Sequence, residues 1–291
     1  MLLQQLINGI ALGSTYALIA LGYTMVYGII TLINFAHGEI FMVGAFVGLF
    51  LVTVLKLNIF VAMAGAMVFC MVMGVVIELI AYRPLRKSSR LSALISAIGV
   101  SIFLSTLALM VFGADAKGYP DEAFPVRQIN IAGAEISTLQ LLIIGVSASL
   151  MLGLEFIVKK TKIGKAMRAT SEDYNTAALM GINVNRVISF TFALGSALAA
   201  AGGVLVGLLF KAASFNMGLM AGLKAFSAAV LGGIGSIPGA MLGGLLLGVA
   251  EVMGVAAGYS SYRDAIAFAI LVLVLLVKPT GLLGQKIQKK V

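Results

Sequence analysis

Along this chain, long apolar blocks alternate with short polar interruptions. Blocks near 4–30, 39–56, 59–81, 91–113, 138–158, 187–210, 237–257 and 264–278 each approach the length at which a helix crosses a bilayer, about 20 mostly apolar residues. A shorter apolar piece lies at 224–235. This pattern predicts an all-α, polytopic integral membrane protein with about eight membrane helices plus broken or re-entrant segments, built as a single transmembrane domain over residues 1–291.

Two interruptions fall inside apolar blocks. One is LINFAHGEIF (32–41); the other is the GGIGSIPG centre of KAFSAAVLGGIGSIPGAMLGG (224–244). Gly and Pro lower helical preference there, and Pro removes a backbone donor. A hairpin in which 224–235 dips in and 237–257 returns needs shielding by protein or a wet cavity, because lipid satisfies no free backbone group. One break in each half is the pattern of transporters built from paired repeats. Small residues at Gly195–Ala199, Gly239–Gly243 and Gly244–Gly248 recur at a spacing that lets helix backbones approach closely.

Composition agrees with the pattern: 61% of residues are hydrophobic and only 11% charged, far from a soluble domain. The formal charge of +9 sits mostly in loops, which marks a cytoplasmic side and not a nucleic-acid surface. The loop 83–90 (Arg83, Arg86, Lys87, Arg90), the segment from Lys159 and the tail (Lys278, Lys286, Lys289, Lys290) are placed inside. The loop 114–137, with Asp115, Asp121, Glu122 and Glu135, is placed outside, and parity puts the uncharged N-terminus outside too. That N-terminus lacks the positive start of a secretory signal and reads as a retained helix. The single cysteine, Cys70, forms no internal disulfide, and no metal-ligand spacing is present.

The segment 159–186 is the polar exception. Lys159, Lys160, Lys162, Lys165 and Arg168 precede Glu172 and Asp173. Ile163, Met167, Thr170, Tyr174, Ala177 and Ala178 share one helical face, in one helix or two short ones. Thr170 is expected to cap the second helix with Asp173 in the reciprocal position, and Gly181 to supply a left-handed stop. Charges of both signs favour a docking surface over a lipid anchor, which would be mostly basic.

Polar residues inside apolar blocks are costly and point to cavities or partners. Asn34, His37 and Glu39 at the first break are read either as part of a gate or pathway, or as a polar group that fixes the bend. Glu251 faces a subunit interface or a wet cavity. Glu78 with Arg83, and Glu155 with Lys159, are expected as interfacial ion pairs. Ser92, Ser96, Ser101 and Ser105 are expected to bond back to their own helix. No reactive cluster indicates an enzyme, and no G-x-x-x-x-G-K-[ST] stretch is present for ATP hydrolysis.

Three stretches carry a family resemblance. RATSEDYNTAALMGINVNRVISFTFALGSALAAAGGVL (168–205), GSTYALIALGYTMVYGIITLINFAHGEIFMVGA (13–45) and VLGGIGSIPGAMLGG (230–244) resemble the Liv-type permeases of bacterial ABC importers, with Asn34 to Gly38 the most specific block and the LivH-like group the nearest. The resemblance implies a bacterial inner-membrane permease for branched-chain amino acids. It implies a homologous second permease subunit, two cytoplasmic ATPase subunits that hold the ATP–Mg, and a periplasmic binding protein. This chain itself would bind no cofactor. By position, Gly164, Arg168, Ala177, Ala178 and Gly181 are the ATPase-coupling residues, and Lys165 and Glu172 are counted with them as charged contacts. Asn34, His37, Glu39 and Glu251 are the pathway or gate candidates, from their polarity within apolar blocks and not from the resemblance. Alternatives are an ABC permease for urea or short amides, and an ion- or proton-coupled carrier working alone.

Overall fold

A computed structural model describes residues 2–86, 88–131 and 134–284. Lys87 and the tail lysines Lys286, Lys289 and Lys290, expected on the inner face, lie outside the described residues. Most of the described residues are helical: α1 (Leu2–Ile30), α2 (His37–Thr53), α3 (Ile59–Ile77), α4 (Arg90–Phe112), α5 (Thr138–Lys160), α6 (Lys162–Glu172), α7 (Tyr174–Leu179), α8 (Val184–Phe210), α9 (Met217–Gly232), α10 (Ile237–Ala256) and α11 (Arg263–Val277). A π-helical turn, Glu78–Tyr82, extends α3. Two small antiparallel ladders pair β1 (Lys117–Gly118) with β4 (Ala212–Ala213) and β2 (Gln128–Ile131) with β3 (Ala134–Ser137).

Among the described residues, seven helices are long and apolar enough to cross a membrane, so the protein is a multi-pass membrane protein. The expected block 39–56 becomes α2, which at 17 residues is one of two shorter apolar helices; the other is α9, with 16. At 1.5 Å per residue each spans about 25 Å, less than the hydrocarbon core. Both are largely buried by neighbouring helices, with Phe50 of α2 and Leu219 and Met220 of α9 left exposed.

The two ends of the bundle are distinct. Asn8 on α1 accepts from Gln140 at the start of α5, so α1 begins at the end that carries the acidic loop. Asn34, just after α1, bonds Tyr82 beside the basic loop. Helix α8 runs the other way, because β4 after its last turn pairs with β1 of the acidic loop. The N-terminus therefore lies on the acidic side, as loop charge predicted.

The paired repeat is present, but its second break is elsewhere. The partner of 31–36 is 211–216, not the GGIGSIPG turn. Thr31 and Lys211 end α1 and α8 in the same left-handed conformation, φ 52° and 53°. At that one constant offset Ala17 and Ala197, Gly22 and Gly202, Phe35 and Phe215, Gly38 and Gly218, and Phe46 and Phe226 are identical. Contacts follow the exchange: α1 packs chiefly on α10, and its counterpart α8 on α3. Since α1 and α8 run in opposite senses, the repeats are inverted.

Small residues set these approaches. Gly38 and Gly218 face each other where α2 crosses α9, and a methyl on either would meet the other's backbone. Gly13 and Ala17 lie against Gly248 and Gly244, Gly22 against Gly195, and Gly44 against Ala200. The expected spacings at 195, 239, 243, 244 and 248 are thus all packing contacts. The GGIGSIPG turn sits at the basic end, where Leu282 and Leu283 donate to the carbonyls of Leu231 and Gly232. Its free backbone is covered by the chain's own C-terminal segment.

Candidate functional site

Helices α6 and α7 form a bracket at the basic end. Thr161 caps α6 by accepting from the Gly164 amide, 3.1 Å. Gly164 is buried in the corner with α5, where a methyl group would collide with the carbonyls of Ile157 and Val158. Met167 and Thr170 continue its buried face, while Lys165, Arg168 and Glu172 point to solvent.

The chain then turns into a second helix, but Asp173 is its cap and not Thr170. The Asp173 carboxylate accepts from the Thr176 amide at 2.8 Å, and the buried Thr170 hydroxyl donates to the Ala166 carbonyl of its own helix. Of α7 only Ala177 is buried; Tyr174 and Ala178, expected on the same face, are exposed because the new helix starts in a new direction. Gly181 is the expected left-handed stop, with φ 83°. Its amide donates to Ala178 and that of Ile182 to Ala177, which closes the helix end. Beside this stop, Leu179 and Met180 project into solvent, 87% and 78% exposed. Sequence reading passed over both, since apolar residues in an apolar protein carry no signal until their surroundings are known.

The first break holds a second group. Asn34, His37 and Glu39 are all buried. Asn34 accepts from the Tyr82 hydroxyl at 2.8 Å, and Glu39 accepts from Ser101 at 3.2 Å. The His37 ring lies edge-on to Tyr23, 4.8 Å between centroids, and against Gly22. Asn34 Nδ2, His37 Nε2 and Glu39 Oε2 find no hydrogen-bond partner among the described residues. The π turn is what aims Tyr82 here: with Arg83 bonded back to Glu78, both Glu78 and Tyr82 face inward. Glu78 is paired with Arg83, as expected, and also with Arg86 and Ser189. Glu155 pairs with Lys159. Of the four serines only Ser105 bonds back to its own helix turn; Ser101 reaches Glu39, Ser96 reaches the Ala81 carbonyl, and Ser92 pairs with Ser89.

Glu251 belongs to neither group. It is fully buried about two turns nearer the acidic end of α1, where Tyr16 donates to it at 2.9 Å. Lys224 contacts it at 3.0 Å, Arg263 pairs with it, and Lys224 also reaches Asp264 at 2.6 Å. Two cations and two carboxylates thus close on each other between α1, α9, α10 and α11. The expected subunit interface or wet cavity is replaced by a charge network internal to the chain. Lys224 and Arg263 were not foreseen, because nothing in their sequence neighbourhood names a partner.

Comparisons with known proteins place this arrangement. The family described as branched-chain amino acid transport system / permease component matches residues 5–275. The high-affinity branched-chain amino acid transport system permease protein BraD of Pseudomonas aeruginosa is 47% identical, over 99% of this chain and 98% of that one. The corresponding permease protein LivH of Escherichia coli K12 is also 47% identical, over 99% and 97%. Among solved structures, PsaBC from Streptococcus pneumoniae in complex with Fab aligns with a TM-score of 0.53 at 16% identity, covering 96% of this chain and 92% of that one, which is a likeness of fold alone.

Proposed function

This chain belongs to the family of permease components of branched-chain amino acid transport systems, and we propose that it is the LivH-like membrane subunit of an ATP-driven importer for leucine, isoleucine and valine. The observation that carries the reading is the bracket at 159–186. It is anchored by buried Gly164, Met167, Thr170 and Ala177, yet it presents Lys165, Arg168, Glu172, Ala178, Leu179 and Met180 outward. Exposed apolar residues rimmed by polar ones suit a contact with a protein or a membrane, and charges of both signs around Leu179 and Met180 favour the protein.

In this reading two cytoplasmic ATPase subunits, which hold ATP–Mg, grip the bracket of this chain and of a homologous second permease subunit. A binding protein delivers cargo to the acidic end, on the periplasmic side of a bacterial inner membrane. Gly164 ties the bracket tightly to α5, so a push on α6 reaches the bundle as rigid-body motion. Asn34, His37 and Glu39 lie where α1 gives way to α2, at the element that such motion would bend, and form part of the gate. Glu251 holds the outer halves of α9, α10 and α11 to α1.

The test is reconstitution. Proteoliposomes holding this chain, its partner permease and the ATPases should take up leucine only with ATP inside and binding protein outside. Leucine uptake by the purified chain alone, without ATP, would favour a secondary carrier and overturn the proposal. ATP-dependent uptake of urea or a short amide in place of leucine would overturn the cargo and keep the mechanism.

A further inference from the structure

A cleft of about 540 Å³ opens at the basic end between the last turn of α3 and the first turns of α8, lined by Val75, Arg83, Asn185, Arg186, Ser189 and Phe190 among others. Its charge balance is one-sided. Glu78 is fully buried, and its oxygens are taken by Arg83, Arg86 and Ser189. One carboxylate therefore faces two guanidinium groups. Arg186 adds a third positive charge, with no carboxylate in ion-pair range among the described residues. The first turn of α8 carries no acidic residue, and its cap is the neutral Asn183 side chain, which accepts from the Arg186 amide, so no negative charge offsets the positive end of this 27-residue helix.

The rest of the wall is apolar. Val75, Phe190 and Ala193 line the cleft, and Val72, Val76, Leu79 and Ile80 continue along the exposed face of α3 and its π turn at 40% exposure or more. A basic mouth at the level where a span ends, above an apolar strip along that span, matches an amphiphile with an anionic head. It does not match an acidic protein segment, which would leave the strip without a partner.

We infer that this cleft binds an anionic glycerophospholipid of the inner leaflet, with its phosphate between Arg83, Arg186 and the start of α8 and an acyl chain along Val72, Val76 and Leu79. The site would fix α3 to α8 at the edge of the bracket, because Arg86 bridges Asn185 and the Tyr174 hydroxyl. Basic pockets between helices on the cytoplasmic side are suited to such headgroups, each Arg or Lys adding about fivefold in affinity near the surface.

The chain contains no tryptophan, so Phe190→Trp provides a single fluorophore in the cleft. The full-length F190W chain, purified in neutral detergent, is titrated with brominated phosphatidylglycerol and with brominated phosphatidylcholine of the same chains. Phosphatidylglycerol should quench at several-fold lower concentration, and Arg186→Gln in the same background should weaken it about fivefold with unchanged circular dichroism. Equal quenching by both lipids, or an unchanged titration in R186Q, would overturn the site. Inorganic phosphate that displaces the lipid at equal concentration would show a free-anion site and overturn the lipid assignment. Should F190W not fold, native mass spectrometry of the unsubstituted chain, comparing retention of the two lipids, makes the same decision.

Discussion

Lys224 of α9 and Glu251 of α10 meet at 3.0 Å inside the bundle, both nearly excluded from solvent. Neither charge is tolerable alone at that depth. Together with Tyr16, Arg263 and Asp264 they form a network whose charges balance. Removing one member leaves the others uncompensated, and that costs more than the pair is worth against an apolar replacement. Lys224→Met is therefore expected to destabilise the protein by about 3 kcal/mol. The double variant Lys224→Met with Glu251→Gln should lose less than the sum of the single changes. Thermal unfolding of the four proteins in detergent measures this, and strict additivity would show that the two side chains do not act together.

Gly38 and Gly218 occupy equivalent positions in the two repeats and touch each other. A methyl on Gly38 would run into the Gly218 carbonyl and approach Gly222 at 3.0 Å. Overpacking of this kind costs about 1–3 kcal/mol. Gly38→Ala and Gly218→Ala should both lower thermal stability, whereas Gly99→Ala, where a methyl meets nothing within 4 Å, should not. Equal stability of all three would remove the crossing as a tight contact.

Gly181 gives a cleaner reading of the bracket, because a side chain there meets nothing within 4 Å. Its only demand is the positive φ, which costs an ordinary L-residue about 1–2 kcal/mol. Gly181→Val should leave membrane insertion intact, keep ATP hydrolysis by the assembled complex, and reduce leucine uptake per ATP. Gly181→Asn, which accepts the left-handed conformation, should retain most of the coupling. A Val variant with an unchanged transport-to-hydrolysis ratio would dismiss the stop as a coupling element.

Leu179 and Met180 support no internal packing, so changing both to Ser should not alter the melting temperature. Co-purification of the ATPase subunits should drop at least tenfold, since a partner contact of this kind rests on a few apolar anchors. Arg168→Gln, on the same exposed side, should weaken association less. Undiminished co-purification of the double Ser variant would move the docking surface elsewhere.

Much of the architecture was legible in the chain. Block length and composition gave seven of the eight expected spans, because bilayer thickness sets helix length directly, whereas 39–56 proved to be the short helix α2. Loop charge separated the two ends of the bundle and grouped the N-terminus with the acidic loop, as the packing does. The break at 32–41, the two-helix bracket and the stop at Gly181 were also visible, each from a local rule of helix ending. The identities between 17–46 and 197–226 would have revealed the repeat if the chain had been compared with itself at a fixed offset. The Gly-Pro turn instead drew attention to the wrong second break.

What the sequence by itself determined is whatever depends on near neighbours along the chain: span length, helix stops, the sidedness of charge, and the family. What only the tertiary structure decided is which buried polar group meets which. Tyr82 reaches Asn34 across 48 positions and Tyr16 reaches Glu251 across 235, and no local rule selects those partners. The reason is physical. A helix places its side chains by its own geometry, but a buried charge is settled by whatever another helix brings within hydrogen-bond range, and that is fixed only when the bundle packs.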